Sequence, residues 1–327
     1  MLIPAMKAIQ IEATGGPEVL QLVDLPIPEP GPGQILIRVE ATGVNFIEIY
    51  FRKGVYKTAF PLVPGSEAAG TVEELGPGVN GFKPGEAVAS TSVIGSYAEY
   101  ALVPAAQLVK VPEGLGLECA AAVLLQGMTA HYLTRSTYPL KGGETALVHA
   151  GAGGVGLLLT QMAAQIGARV ISTVSTKAKA ALSREAGASD VILYSDQDFE
   201  AEVKRLTGGK GVDVVYDSVG KTTFDGSLNC LRPRGMLVLF GASSGPVPPF
   251  DPILLNSKGS LFLTRPTLWH YIATRAELEW RAGDVLGSAA AGKLKVRTEH
   301  SYSLADAAQA QIDLEARRTT GKVLLVP

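Results

Sequence analysis

Four glycines in the eight residues HAGAGGVG, His149 to Gly156, stand between the apolar runs TALV and LLLTQMAAQI. Glycine loses more conformational freedom on folding than any other residue, so such a cluster between regular elements marks a tight turn or a close approach of another group to the backbone. TALVHA is β-rich, VGLLLTQMAAQIGA has a helical pattern and RVISTV is β-branched. The segment therefore reads strand, glycine turn, helix, strand, which is a βαβ unit.

Gly151, Gly153 and Gly156 fit G-x-G-x-x-G, in which the first glycine makes the turn, the second admits a pyrophosphate and the third lets helix and strand pack closely. Gly154 and Val155 complete the turn and open a helix whose unpaired N–H groups and dipole favour phosphate. A glycine turn serving packing alone is the competing reading, and the strand and helix on either side favour dinucleotide binding. An NAD site places Asp or Glu at the end of the second strand, against the ribose 2′-hydroxyl. Here that strand runs into TVSTKAK, which offers Ser175, Thr176 and Lys179 and no carboxylate. Hydroxyls and an ammonium group suit a 2′-phosphate, so NADPH is the expected cofactor. Lys177 is read as solvating the following helix.

A chain of 327 residues, 46% hydrophobic and 18% charged, has the make-up of an ordinary globular protein of about two domains. The formal net charge of −2 and the lack of a basic run argue against nucleic acid as a partner, and no apolar stretch approaches a membrane span. MLIPAMKAIQIE lacks the basic region, apolar core and cleavage site of a signal peptide. Cys119 and Cys230 lie far apart in apolar settings, and reduced thiols in a cytoplasmic protein are expected.

The pattern changes character near residue 125. Before it, β-rich runs (KAIQIE, ILIRVEATGV, AAGTVEELG, EAVAST, YAEYALV) alternate with Pro and Gly turns, which predicts a compact, partly closed β domain over residues 1–125. Strands and helices then alternate through VILY, FEAEVKRLTG, VDVVYDS, GMLVLFG and SLFLT, so residues 126–265 are expected to form an α/β, doubly wound parallel sheet with ligands at the carboxyl ends of its strands. Residues 266–327 offer a helix near 275–291, the strand-like LKVRTEHSY, a helix over 304–317 and a closing strand, KVLLV. They are expected to return to the first domain.

Taken in order, GGPEVLQL, GVNFIEIYFRKGVY, GSEAAGTVEELGPGV, the glycine turn, VVYDSVG, FGASSG and RRTTGKVLLV resemble the zeta-crystallin-like, NADPH-dependent quinone oxidoreductases, the zinc-free branch of the medium-chain dehydrogenase/reductase superfamily. The resemblance covers essentially the whole chain. It implies a GroES-like catalytic domain, a Rossmann NADPH-binding domain between the two chain segments, and a homodimer made by joining Rossmann sheets. It also implies roles for individual residues. Asn45 would stand beside the nicotinamide, and Tyr50 and Tyr56 would line the quinone pocket, each with an apolar ring and a polar hydroxyl. A core position in an amphipathic turn is the competing reading for Tyr50. Thr129 would contact the cofactor near the nicotinamide, with Gln126 a less secure neighbour because some relatives carry lysine there. Lys179 and Tyr194 would hold the 2′-phosphate. Ser218 and Val219 would meet the cofactor at one strand tip and Phe240, Ser243 and Ser244 at the next, while Arg317 and Lys322 come from the returning segment. A helix cap is the plain alternative for Ser218.

Zinc alcohol dehydrogenases of the superfamily hold their metal through a cysteine and a histidine in the first domain. The equivalent stretches here are GVNFIEIY, with no cysteine, and GSEAAG, with Ser66 where histidine would stand, so no metal site is expected. Glu67 is read as a structural carboxylate. Without a Lewis acid the acceptor must delocalise incoming charge itself, which points to quinones and conjugated carbonyls. Three readings follow: a quinone oxidoreductase; a reductase of enones, 2-alkenals or enoyl thioesters, with Tyr56 as proton donor; and a non-catalytic NADPH-binding or structural protein. The intact Asn45 and tyrosine pocket argues against the third.

Overall fold

In the computed structural model, which describes residues 4–327, the glycine turn does join a strand to a helix. In chain order the elements are β1 (Ala5–Gln10), β2 (Gln21–Pro26), β3 (Gln34–Val44), α1 (Phe46–Arg52), β4 (Ala68–Leu75), β5 (Ala87–Ser90), β6 (Tyr100–Pro104), β7 (Val109–Lys110) and α2 (Leu117–Tyr132). Next come β8 (Thr145–Val148), α3 (Gly154–Ile166), β9 (Arg169–Val174), α4 (Lys177–Glu185), β10 (Asp190–Leu193), α5 (Phe199–Leu206) and β11 (Val212–Asp217). They lead to α6 (Phe224–Cys230), β12 (Leu231–Leu239), α7 (Ile253–Ser257), β13 (Phe262–Thr264), α8 (Arg275–Ala290), β14 (His300–Ser303), α9 (Ala307–Glu315) and β15 (Val323–Val326).

Residues 4–125 and Thr274–Pro327 form one unit, Gln126–Ala273 the other. The expected return at residue 266 is therefore corrected to 274. The reason is local: Tyr271 stacks on Tyr132, ring centroids 4.3 Å apart, and accepts a 2.9 Å hydrogen bond from Thr137 Oγ1, which keeps the segment before Thr274 in the second unit.

The second unit is a six-stranded parallel sheet in the order β10-β9-β8-β11-β12-β13. Its central strands read as nearly continuous buried runs because helices cover both faces. Leu147, Ile171, Val215, Phe224, Leu237 and Leu239 share its core. The strand order reverses between β8 and β11, so the carboxyl ends of β8, β9, β11 and β12 flank the switch point where such sheets bind ligands.

The first unit is built around β3, an eleven-residue strand that pairs antiparallel with β4, β6 and β15, while β1 and β2 form a separate antiparallel pair. Ile35, Ile37, Val72, Val88 and Val103 fill its core. The register of β15 on β3 sets Val323 opposite Val44, which carries the neighbouring Lys322 to Asn45. Two other expectations are corrected here. Of the run LKVRTEHSY only the last three residues lie in a strand, β14, which continues to Ser303, because it is His300–Ser303 that find partners on β15. The helix expected over 304–317 is α9 preceded by a 3₁₀ turn, and it stops at Glu315, with Arg317 in left-handed backbone, φ 58°.

Candidate active site

NFIEIY, for which an amphipathic turn was the competing reading, forms a helix: Asn45 caps α1 in extended conformation, and Glu48 reaches back so that its Oε2 accepts from the Asn45 amide at 2.8 Å. Lys322 Nζ donates to Asn45 Oδ1 at 2.8 Å and to Glu67 Oε2 at 2.5 Å, while Asn45 Nδ2 donates at 3.3 Å to Glu67 Oε2 and to the Gly43 carbonyl. The other Glu67 oxygen accepts from the Leu125 amide. Lys322 is only 3% exposed and Glu67 not at all, so this is a dry ion pair. Gly43 is required by it. A Cβ there would stand 2.1 Å from Glu67 Oε2 and 2.5 Å from Lys322 Nζ. Burial pushes the Glu48 carboxyl from its ordinary value up to about 7, against the pull of the Lys322 charge and its hydrogen bond from Asn45.

Tyr50 and Tyr56 meet edge to face with centroids 5.4 Å apart, and Phe46 and Phe51 extend the cluster. Tyr56 is exposed and Tyr50 half-buried, so Tyr50 belongs to a surface aromatic group rather than to the core. Arg52, fully buried, anchors the end of α1 through Gln311, Glu315 and the Gly15 carbonyl.

In the second unit the three motif glycines have separable causes. A Cβ on Gly151 would strike Ser172 Oγ at 1.8 Å and one on Gly156 the Ala150 carbonyl at 2.3 Å, so both are needed by the protein itself. A Cβ on Gly153 would meet only the Ala150 oxygen, at 3.2 Å. No side chain caps α3, whose first turn begins at Gly154 and Val155. An uncapped helix N-terminus behind a glycine that its own chain does not require fits a dinucleotide pyrophosphate.

At the neighbouring tips, Tyr194 follows β10 and donates its amide to the Val174 carbonyl, which sets it beside Ser175, with Thr176 and Lys179 opening α4. The Thr176 hydroxyl caps the helix, accepting from the Lys179 amide, which leaves its own O–H to donate. The Ser244 hydroxyl donates to the Val219 carbonyl at 2.7 Å and accepts from the Thr222 amide, tying the loop after β12 to the loop after β11. Ser218, Val219, Phe240 and Ser243 share this pair of loops, with the Ser218 carbonyl accepting from the Ser243 amide. Thr129 and Gln126 are buried on α2. Arg317 is exposed just past α9, while the Lys322 ammonium donates to Asn45 and Glu67.

Sequence reasoning missed Asp217 and His149. Asp217 is fully buried and accepts from the Val219 and Gly220 amides and from the Thr223 and Ser227 hydroxyls, which shapes the loop after β11. His149 shares hydrogen bonds with Thr173 Oγ1 and Ser227 Oγ, and burial pushes its pKa down while Asp217 pulls it up. A carboxylate at a strand end, as in VVYDSVG, was the available signal.

Fold and site define a two-part dehydrogenase, a GroES-like unit with a Rossmann unit. Residues 31–113 match the alcohol dehydrogenase GroES-like domain and residues 154–281 the zinc-binding dehydrogenase family. The chain is 46% identical to a quinone oxidoreductase of Pseudomonas aeruginosa over 98% of its own length and 99% of that protein's, and 42% identical to a 2-haloacrylate reductase of a Burkholderia species, over 98% and 99%. A mycobacterial protein solved complexed with NADPH is 52% identical, with a TM-score of 0.96 over 98% of this chain and 100% of that one. The chain belongs to the quinone oxidoreductase family of the medium-chain dehydrogenase/reductase superfamily. Among the described residues no group of three or more His, Cys, Asp or Glu could hold a metal ion, and the cation beside Glu67 is the Lys322 ammonium.

Proposed function

We propose that the protein is an NADPH:quinone oxidoreductase that works without a metal. The observation that carries this reading is Asn45, fixed at the head of α1 beside the aromatic group of Tyr50 and Tyr56, in a chain related along its full length to a quinone oxidoreductase. Gly153, Gly154 and Val155 would receive the pyrophosphate, Ser175, Lys179 and Tyr194 the 2′-phosphate, and Ser218, Val219, Phe240 and Ser243 the length of the cofactor, with Thr129 and Arg317 as further contacts. When bound, NADPH supplies the hydride. Asn45, held rigid by Lys322 and Glu67, keeps the reacting groups in register. Tyr50 and Tyr56 stack on the flat acceptor, exclude water and offer hydroxyls to its oxygens. No Lewis acid is needed because a quinone spreads the incoming charge over its conjugated ring.

The similarity to a 2-haloacrylate reductase favours a second reading, reduction of a conjugated carbonyl compound with Tyr56 as the proton donor at the adjacent carbon. Steady-state turnover with NADPH on a panel of quinones, enones and 2-haloacrylate separates the two. Higher kcat/KM on quinones is expected, the reverse order would support the reductase, and no turnover on any acceptor would leave a non-catalytic NADPH-binding protein.

A homodimer and a cytoplasmic location belong to the same reading. β13 pairs with β12 alone and carries the exposed Phe262, an edge able to continue the sheet into a second copy, and sedimentation would test it. Cys119 and Cys230 are free thiols, as suits a reducing compartment. No helix among the described residues is long and apolar enough to cross a membrane.

A further inference from the structure

We propose that Lys322 is a positioning residue for the reaction: held by Glu67, its ammonium group grips Asn45 Oδ1 and so fixes which end of the amide is offered to the reacting groups. This rests on the reading of Asn45 as the residue that meets the cofactor and the acceptor.

The orientation of an amide is set by what surrounds it. Asn45 Oδ1 faces an ammonium at 2.8 Å, and Nδ2 faces two acceptors, Glu67 Oε2 and the Gly43 carbonyl, each at 3.3 Å. Turning the amide over would set its NH₂ against the Lys322 ammonium and its oxygen against a carboxylate and a carbonyl. Both contacts are repulsive, and burial removes the water that would screen them. The group is thus locked from both ends, with N–H as the donor on the Glu67 side and the oxygen committed to Lys322. A charged donor on the oxygen also draws electron density from the nitrogen, which strengthens the bonds its N–H groups make on the Glu67 side.

Stability alone does not account for this arrangement. A dry Lys–Glu pair is weak evidence for stabilisation, because desolvation offsets most of the attraction, and apolar replacements are often neutral or better. The fold nevertheless makes special provision for it. Gly43 leaves the space in which the pair lies, and the β15 on β3 register delivers Lys322 to the one residue that caps α1 at the aromatic group.

The test uses the full-length protein as Lys322→Met and as the double variant Glu67→Gln/Lys322→Met, which removes both charges and leaves no unpaired ion if the single variant misfolds. With quinone as acceptor, kcat should fall about 10- to 100-fold in each folded variant, as for other misplaced reacting groups. The dissociation constant for NADPH, read by fluorescence without quinone, should stay within about twofold. The nitrogen-15 and proton signals of the Asn45 side-chain amide should shift, and its hydrogens should exchange faster. A folded variant with kcat within about twofold of wild type would overturn the proposal. So would an unchanged Asn45 amide signal. If the wild-type protein reduces no quinone, the functional reading fails, while the amide signal still decides whether Lys322 holds Asn45.

Discussion

Gly156 lies so close to Ala150 that a Cβ on the glycine would stand 2.3 Å from the alanine carbonyl, whereas the same addition at Gly153 would meet that oxygen at 3.2 Å and nothing else. Two glycines of one motif therefore answer to different demands. One serves helix and strand packing, and the other leaves a cradle.

Gly156→Ala should lower apo-protein stability by about 1 to 3 kcal/mol, the usual cost of overpacking. Gly153→Ala should melt close to wild type and bind NADPH at least about tenfold more weakly, a loss of about 1.4 kcal/mol. Thermal melting of the apo-proteins together with fluorescence titration of the cofactor checks both. Native NADPH affinity in Gly153→Ala would reduce the turn to a packing device.

Lys179→Ala should weaken NADPH by about 1.5 to 3 kcal/mol while leaving NADH nearly unaffected, since only NADPH carries the 2′-phosphate. Thr176→Ala should act differently. Its hydroxyl caps α4, so about 1 kcal/mol of stability should be lost as well. Michaelis constants for both cofactors, measured beside melting curves, separate the effects, and equal use of NADH by the wild type would end the case for 2′-phosphate selection.

Glu48 should make stability fall as pH rises. Its folded pKa of about 7 lies above the ordinary value of 4.5, so between these values the folded state holds a proton that the unfolded state has released. Stability from this group is full below about pH 4.5, declines through pH 7 and amounts to about 3 kcal/mol in all. The charges facing it are Lys322, which favours ionisation, and Glu67, which opposes it. Glu48→Gln keeps an acceptor for the Asn45 amide and should flatten the profile. Denaturant unfolding from pH 5 to 8 gives the answer, and equal slopes in the two proteins would show that Glu48 does not titrate in this range.

Chelation should change neither quinone reduction nor melting temperature, because Asn45 and Ser66 occupy the stretches that hold zinc in metal-dependent relatives and Lys322 already places a cation on Glu67. Activity lost to a chelator and restored by zinc alone would count decisively against this.

Local pattern was enough for the glycine turn, because a β-rich run, a glycine cluster and a 3.6-residue periodicity are all read within thirty residues. The same holds for β9 and β11, whose apolar runs are buried on both faces, and for α4, β10 and α5, whose patterns alternate with them in short segments. It failed for LKVRTEHSY, where strand-like residues form a strand only as far as β15 runs beside them. Thr176 and Ser244 were recognised as polar residues at strand ends, but which partner a hydroxyl meets depends on the backbone that closes around it.

Lys322 marks the division. Sequence alone set a lysine at the head of the strand-like run KVLLV and an asparagine at the head of NFIEIY. That the two touch, across 277 positions, was decided by the antiparallel pairing of β15 with β3 and by the empty side of Gly43. Periodicity and composition report on residues a turn or a strand apart, whereas the orientation of the Asn45 amide depends on charges that only tertiary packing brings within 3.3 Å of it and shields from water.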